Sequence, residues 1–142
     1  MEDMMKGYTI KEIKIGDNAS FTKTVTETDV YNFAGVCGDF NPAHMDEVQA
    51  AQTPFKTRIA HGMLGASFIS TVLGVHLPGP GTIYLGQELK FTKPVYFGDT
   101  VTATCTVSEI NEEKNILILD TTVTNQDGDV VIKGKATVMP PR

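Results

Sequence analysis

The sequence predicts an α+β fold in which a curved antiparallel sheet wraps one long buried helix. Three observations carry this. From Ile59 to Gln87 there is no Lys, Arg, Asp or Glu, and Gly62 to His76 reads as a helix apolar on nearly every side, hence buried on nearly every side. From Thr82 onward the hydrophobic period changes to two and holds to Val138, in strands of about ten residues against the usual five or six. Asp127-Gly128, between the last two of these strands, is a strong hairpin signal. No internal repeat, linker or low-complexity segment divides the chain, so residues 1–142 are expected to form one domain around one sizeable core.

The elements follow in order. Ile10, Ile13 and Ile15 are placed to lay an arm on the body, and Gly16-Asp17-Asn18 reads as a turn. Ala19 to Thr26 alternates and is rich in Thr and Val, which predicts a strand. Thr26 or Thr28 then caps a helix whose first turn holds Asp29. Val30, Phe33, Ala34 and Cys37 recur at i, i+3, i+4 and i+7, the pattern of one buried stripe, and Gly38 is placed to stop the helix.

Asp39 is thereby delivered just past a helix C-terminus. Pro42 cannot continue that helix, Asn41 favours a turn, and such a turn brings Asp39 and His44 round to face one cavity. Asp46 caps a second short helix running to about Gln52, with Gln49 three residues on. Lys56-Thr57-Arg58 is a small basic patch before the charge-free stretch, read as a solvated loop or as a contact for phosphate groups at the mouth of a site. Within the charge-free helix, Gly62, Ala66 and Ser70 share a stripe with Gly65 and Gly74 nearby, so close packing has to offset the poor helix propensity of the glycines. Pro78-Gly79-Pro80-Gly81 ends it. In the next strand Ile83, Leu85, Gln87, Leu89 and Phe91 are expected to face one way, with Tyr84, Glu88 and Lys90 opposite.

The totals exclude several classes of partner. A net charge of −5 and a pI near 5.1 argue against nucleic acid and against an anionic membrane surface. The charge-free stretch is interrupted by Gly, Ser, His and Pro, and its helical part falls short of the ~20 apolar residues of a membrane span. Cys37 and Cys105 are too few for a disulfide framework, and Met1-Glu2-Asp3-Met4-Met5-Lys6 is charged where a signal core is apolar, so a cytoplasmic setting is expected.

Three blocks then stand out together: Asp39-Phe40-Asn41-Pro42-Ala43-His44, Arg58-Ile59-Ala60-His61-Gly62-Met63, and Tyr84-Leu85-Gly86-Gln87 with Phe91, Pro94-Val95 and Gly98-Asp99 behind it. In order and spacing they resemble the MaoC-like family, and within it the short (R)-specific enoyl-CoA hydratases, from about Ile15 to the C-terminus. The resemblance implies a hot-dog fold, usually as a homodimer, and hydration of trans-2-enoyl-CoA to (R)-3-hydroxyacyl-CoA; a homodimer or higher homo-oligomer and no metal or redox cofactor are expected. It places Asp39 and His44 as the catalytic pair, Gly62 as backbone donor to the thioester carbonyl, and Ser70 as a polar neighbour of the pair. Met63, Leu73 and Gly86 are expected on the substrate side, with Phe68 a further candidate for the acyl tunnel.

The chemistry agrees with this placement. Adding water across a conjugated thioester needs a base for the attacking water, an acid for C2, and a donor for the charge that builds on the thioester oxygen. Asp39 and His44 can hold one water and divide the proton transfers, in an order the residues leave open. A free N–H in the first turn of a helix suits the donor, and glycine leaves room for the carbonyl.

Other sites are weaker. His61 is read as a cap of the long helix or a ligand contact, and His76 as a histidine favoured by the helix C-terminus. His44, Asp46, Cys37, His61 and His76 lack the paired spacing of a zinc site, so no metal is expected. Asn125 to Asp129 lacks the downstream Glu of a calcium loop, and no glycine-rich phosphate loop follows a strand. The alternatives carried forward are a dehydratase for acyl-carrier-protein or branched diacid-CoA thioesters, a thioesterase, and a non-catalytic acyl-CoA-binding subunit.

Overall fold

The computed structural model describes residues 6–142; the charged start from Met1 to Met5, read above as unlike a signal, lies outside the described residues. Five antiparallel strands form one sheet in the order β1-β3-β4-β5-β2, with β1 Asn18–Thr24, β2 Ile83–Phe91, β3 Thr100–Asn111, β4 Ile116–Thr124 and β5 Val130–Met139. The alternation expected from sequence is clean in the middle of the sheet. Val101, Ala103, Cys105 and Val107 of β3 are buried, as are Leu117, Leu119, Thr121 and Val123 of β4.

Against this face lies α4, Gly62–Thr71, continued by a wider π-helical turn over Val72–His76. Leu64, Phe68, Ile69, Val72 and Leu73 bury into the sheet, and Gly65 lets the side chain of Ile132 come within 3.1 Å of where a Cβ would stand. The helix extends as the charge-free stretch predicts, but its expected burial on nearly every side is corrected. Met63, Ser67, Ser70 and Gly74 fall at successive steps of four, three and four, and form a stripe facing away from the sheet. Five strands of one chain cover only one side of a helix, and Gly74 has nothing within 4 Å of a would-be Cβ.

The flanking elements obey their local signals. α1, Glu27–Cys37, opens on a reciprocal capping box in which Thr26 and Asp29 satisfy each other's backbone N–H groups, and closes on Gly38 at φ 83°. Its stripe is shorter than expected: Val30 and Ala34 are buried and Phe33 is partly covered, whereas Cys37 is exposed. Ile10 and Ile13 are buried, and the arm that carries them is tied by the N–H groups of Gly7 and Tyr8 to the carbonyls of Pro80 and Pro78. Ile15 is exposed.

The expected facing of β2 is corrected. A bulge between Tyr84 and Gly86 inserts Leu85 as an extra residue, so Tyr84 pairs with the buried Val138 and Gln87 with the buried Ala136. One inserted residue reverses the alternation beyond it. Tyr84 therefore shares the inner face with Gln87, donates its hydroxyl to the Gln87 side-chain carbonyl, and Gln87 in turn donates to Thr121 at 2.9 Å.

Candidate active site

The helix stop at Gly38 and the proline after Asn41 build the first half of the site. Asp39 Oδ1 accepts the Asn41 N–H at 3.1 Å, and Asn41 Oδ1 accepts the Ala43 N–H at 3.0 Å. Two side-chain turns in succession fix the carboxylate. The segment expected as a simple turn continues into a short helix, α2, over Pro42–Met45, with Asn41 as its cap and His44 in its last turn. Asp46 then caps α3, Glu47–Ala50, accepting the Gln49 N–H as its spacing predicts.

His44 is only 9% exposed, and its Nδ1 stands 2.7 Å from the carbonyl oxygen of Ile59. A carbonyl can only accept, so Nδ1 carries the proton and Nε2 presents its lone pair when the ring is neutral. That Nε2 lies 3.9 Å from Asp39 Oδ2. The gap is too long for a direct hydrogen bond and short enough for one water to touch both groups.

His61 supports the pair from beneath. It is 3% exposed, donates from Nε2 to the Asp39 carbonyl at 2.8 Å, and stacks on the His44 ring at 3.9 Å between centroids. It precedes α4 but makes no side-chain cap, which corrects the capping role read from sequence. Its Nδ1 is buried without a partner.

The second half of the site is the start of α4. The Gly62 N–H is in the first turn and no protein group among the described residues accepts it. A side chain here would meet the Phe91 ring at 2.7 Å, so glycine is what the space admits. His44, Gly62 and Met63 line one cavity of about 500 Å³ together with Phe55, Ile59, Ala60, Phe91, Thr92, Lys93, Pro94, Val95 and Ile132.

His44, Gly62 and Met63 line this cavity together, whereas Asp39 is not in its lining and meets the site through His44 and His61; the remaining expected residues lie elsewhere. Ser70 lies two turns along α4 on the side that the sheet leaves uncovered, and makes no hydrogen bond to Asp39 within the one chain. Leu73 is 1% exposed in the core and lines no part of this cavity, because the π-helical turn directs it onto the sheet. Phe68 is likewise in the core, 5.8 Å from Phe21. Gly86 sits beside the β2 bulge with open space around it, away from the cavity. The lining residues that the sequence did not single out are Phe55, Thr92, Lys93 and Ile132, whereas Phe91 and Pro94-Val95 stood in its third block without a place in the site.

Ligand atoms of Asp39, His44 and His61 lie within 4.8 Å of one another, close enough to consider a metal. His44 Nδ1 and His61 Nε2 face carbonyls, which leaves His44 Nε2, His61 Nδ1 and the Asp39 carboxylate as the atoms that could ligate. Burial pushes the Cys105 thiol up to about 12, leaving it neutral and inert, and burial likewise raises the Tyr84 hydroxyl to about 12.

A long helix laid against one face of a five-stranded antiparallel sheet is a hot-dog fold, and the first turn of that helix lies at a cavity that His44 also lines. The MaoC like domain matches residues 11–128. An (R)-specific enoyl-CoA hydratase of Rhodospirillum rubrum is 55% identical over 140 residues, covering 99% of this chain and 96% of that protein. One from Aeromonas caviae is 43% identical and covers 92% of this chain and 98% of its own. The structure of an R-hydratase from Pseudomonas aeruginosa superposes with a TM-score of 0.91 at 45% identity, over 96% of this chain and 87% of that one. The chain belongs to the MaoC-like family.

Proposed function

We propose that this protein is a hydro-lyase that hydrates trans-2-enoyl-CoA to (R)-3-hydroxyacyl-CoA, and dehydrates it in reverse. The observation that carries the reading is the 3.9 Å gap between Asp39 Oδ2 and His44 Nε2, beside the Gly62 amide. In this reading one water sits between the two side chains and attacks C3 of the enoyl group. Its proton passes onto the pair, and the pair delivers a proton to C2, so one water is added and nothing else is consumed. The charge that builds on the thioester oxygen meets the Gly62 N–H and the positive end of α4. The flat enoyl group has the pair on one side only, which gives one enantiomer.

The reading extends to the whole chain as one hydratase domain. It needs no metal or redox cofactor, because water addition is complete with a base, an acid and a hydrogen-bond donor. We place the enzyme in the cytoplasm, where the exposed thiol of Cys37 remains reduced, and as a homodimer joined through the apolar edge of β2.

The test is loss of the conjugated thioester absorbance of crotonyl-CoA. Asp39→Ala and His44→Ala are each expected to lower turnover by about 10²–10⁴-fold with unchanged circular dichroism, and dialysis against a chelator to leave turnover intact. Wild-type turnover surviving in either variant sinks the assignment.

A further inference from the structure

The histidine beneath the proposed pair has one atom that the fold leaves unanswered. His61 is 3% exposed, its Nε2 donates to the Asp39 carbonyl at 2.8 Å, and its Nδ1 is buried with no hydrogen-bond partner among the described residues. With the ring proton on Nε2, Nδ1 carries a lone pair, and burying it unpaired is unfavourable. Water addition makes no use of that lone pair.

Two neighbours complete a donor set. Asp39, His44 and His61 each place a ligand atom within 4.8 Å of the others. In both histidines the opposite ring nitrogen already faces a backbone carbonyl: His44 Nδ1 meets Ile59 at 2.7 Å, and His61 Nε2 meets Asp39. Histidines that bind metal are held in this way, since the outer hydrogen bond fixes the tautomer and presents the other lone pair to the ion. Two imidazole nitrogens and a carboxylate oxygen suit zinc better than magnesium or calcium, which prefer oxygen throughout. Zinc bonds of ~2.0–2.1 Å put neighbouring donors about 3.4 Å apart, and His44 Nε2 and Asp39 Oδ2 are already at 3.9 Å. The Asp39 side chain is 53% exposed, so it can close on an ion that arrives from solvent. The two rings stand 28° from parallel, and an ion draws them to one point by turning His61, whose Nδ1 has no bond to break.

We infer that Asp39, His44 and His61 form an inhibitory site for a divalent transition-metal ion of the zinc class. The ion takes the lone pair of His44 Nε2 and an oxygen of the Asp39 carboxylate, and His61 Nδ1 supplies the third bond. Ligated in this way, neither member of the pair can accept a proton, and the ion stands where the attacking water has to sit. The inhibition rests on the hydratase reading, whereas the binding stands on the donor set alone. Sequence spacing gave no sign of it, because the donors come from three segments: the turn after α1, the short helix α2 and the residue before α4.

The test is calorimetry on chelator-dialysed protein, titrated with zinc chloride and separately with magnesium chloride. Zinc is expected to fill one site per chain and magnesium none. Asp39→Asn and His61→Phe are each expected to weaken zinc by at least about tenfold, the first through an exposed residue whose replacement leaves the fold intact. His76→Asn and Cys37→Ser change exposed groups outside the donor set and are expected to leave the affinity unchanged. Cobalt(II) in place of zinc should give visible ligand-field bands without a thiolate charge-transfer band. In crotonyl-CoA hydration, zinc is expected to lower turnover and a chelator to restore it. Affinity that survives both donor variants, or that falls with His76→Asn or Cys37→Ser, assigns the zinc to surface groups and overturns the site. Zinc that binds there and leaves turnover unchanged or raised overturns the inhibition. If the wild type hydrates no crotonyl-CoA, the hydratase reading fails by itself and calorimetry still decides the site.

Discussion

His61 donates to the Asp39 carbonyl at 2.8 Å and lies against the His44 ring, so one buried side chain holds both members of the proposed pair. It is a positioning residue. His61→Phe keeps a flat ring under His44 and removes the donor to Asp39. It also removes the orphan Nδ1, whose burial without a partner is itself unfavourable. The two stability effects oppose each other at about 1 kcal/mol each, so the melting temperature is expected to move little. Turnover is expected to fall about tenfold with KM nearly constant, because a misplaced carboxylate is felt in the chemical step. Steady-state kinetics beside a thermal melt checks this; parallel losses in both would make His61 an ordinary core residue.

At the scale of elements, α1 sets where Asp39 emerges, and its N-terminus is a titratable latch. Burial pushes the Asp29 carboxyl up, but the Thr26 N–H, the Lys23 ammonium at 3.2 Å and the Thr26 hydroxyl outweigh this and hold it below its usual range. A carboxyl lowered by folding adds stability that is present above its unfolded pKa of about 3.9 and is lost as pH falls through the lower folded value. Asp29→Asn should therefore flatten the acid limb of the melting-temperature profile below about pH 4, and Thr26→Ala should cost about 1 kcal/mol at neutral pH by denaturant unfolding. The buried stripe of this helix was read one step too long, at Cys37. Its cap, narrowed to Thr26 or Thr28, and its stop at Gly38 were legible from residues alone, because both are local. The Asp39-to-His44 turn was legible for the same reason. Arg58 was not: its partners Glu27, Tyr31 and Glu47 are brought to it by tertiary packing. Nor was the β2 bulge, since register is set by β5 across the sheet and a sequence read at strict period two assigns Tyr84 to the wrong face. The facing of Ser70 and Leu73 was not legible because composition tells that a helix is apolar and not which side its neighbours cover.

For the whole molecule, the uncovered side of α4 and the free edge of β2 belong to one argument. β2 ends the sheet with nine residues whose outer edge pairs with no strand among the described residues. Ile83, Leu85 and Phe91 along it are each at least 50% exposed, and Met63 and Val75 of the helix segment are 56% and 60% exposed. A long apolar edge left open promotes uncontrolled pairing, and the bulge at Leu85 with the charges of Glu88 and Lys90 guards β2 only in part, leaving Ile83, Leu85 and Phe91 bare. The proposed homodimer resolves this by joining β2 to the β2 of a second copy. A two-fold axis through an edge strand makes that pairing antiparallel and closes after two chains, as an isologous contact must. The dimer also bears on the chemistry, since Phe91 and Met63 line the cavity beside His44 and Gly62. Sedimentation is expected to give twice the 15.4 kDa chain mass. Ile83→Glu combined with Leu85→Glu, both outside the cavity, is expected to give folded monomers with turnover reduced at least tenfold, because like charges would face each other across the new sheet. A wild type that sediments as an active monomer at assay concentration would leave the edge, and the site beside it, complete in one chain.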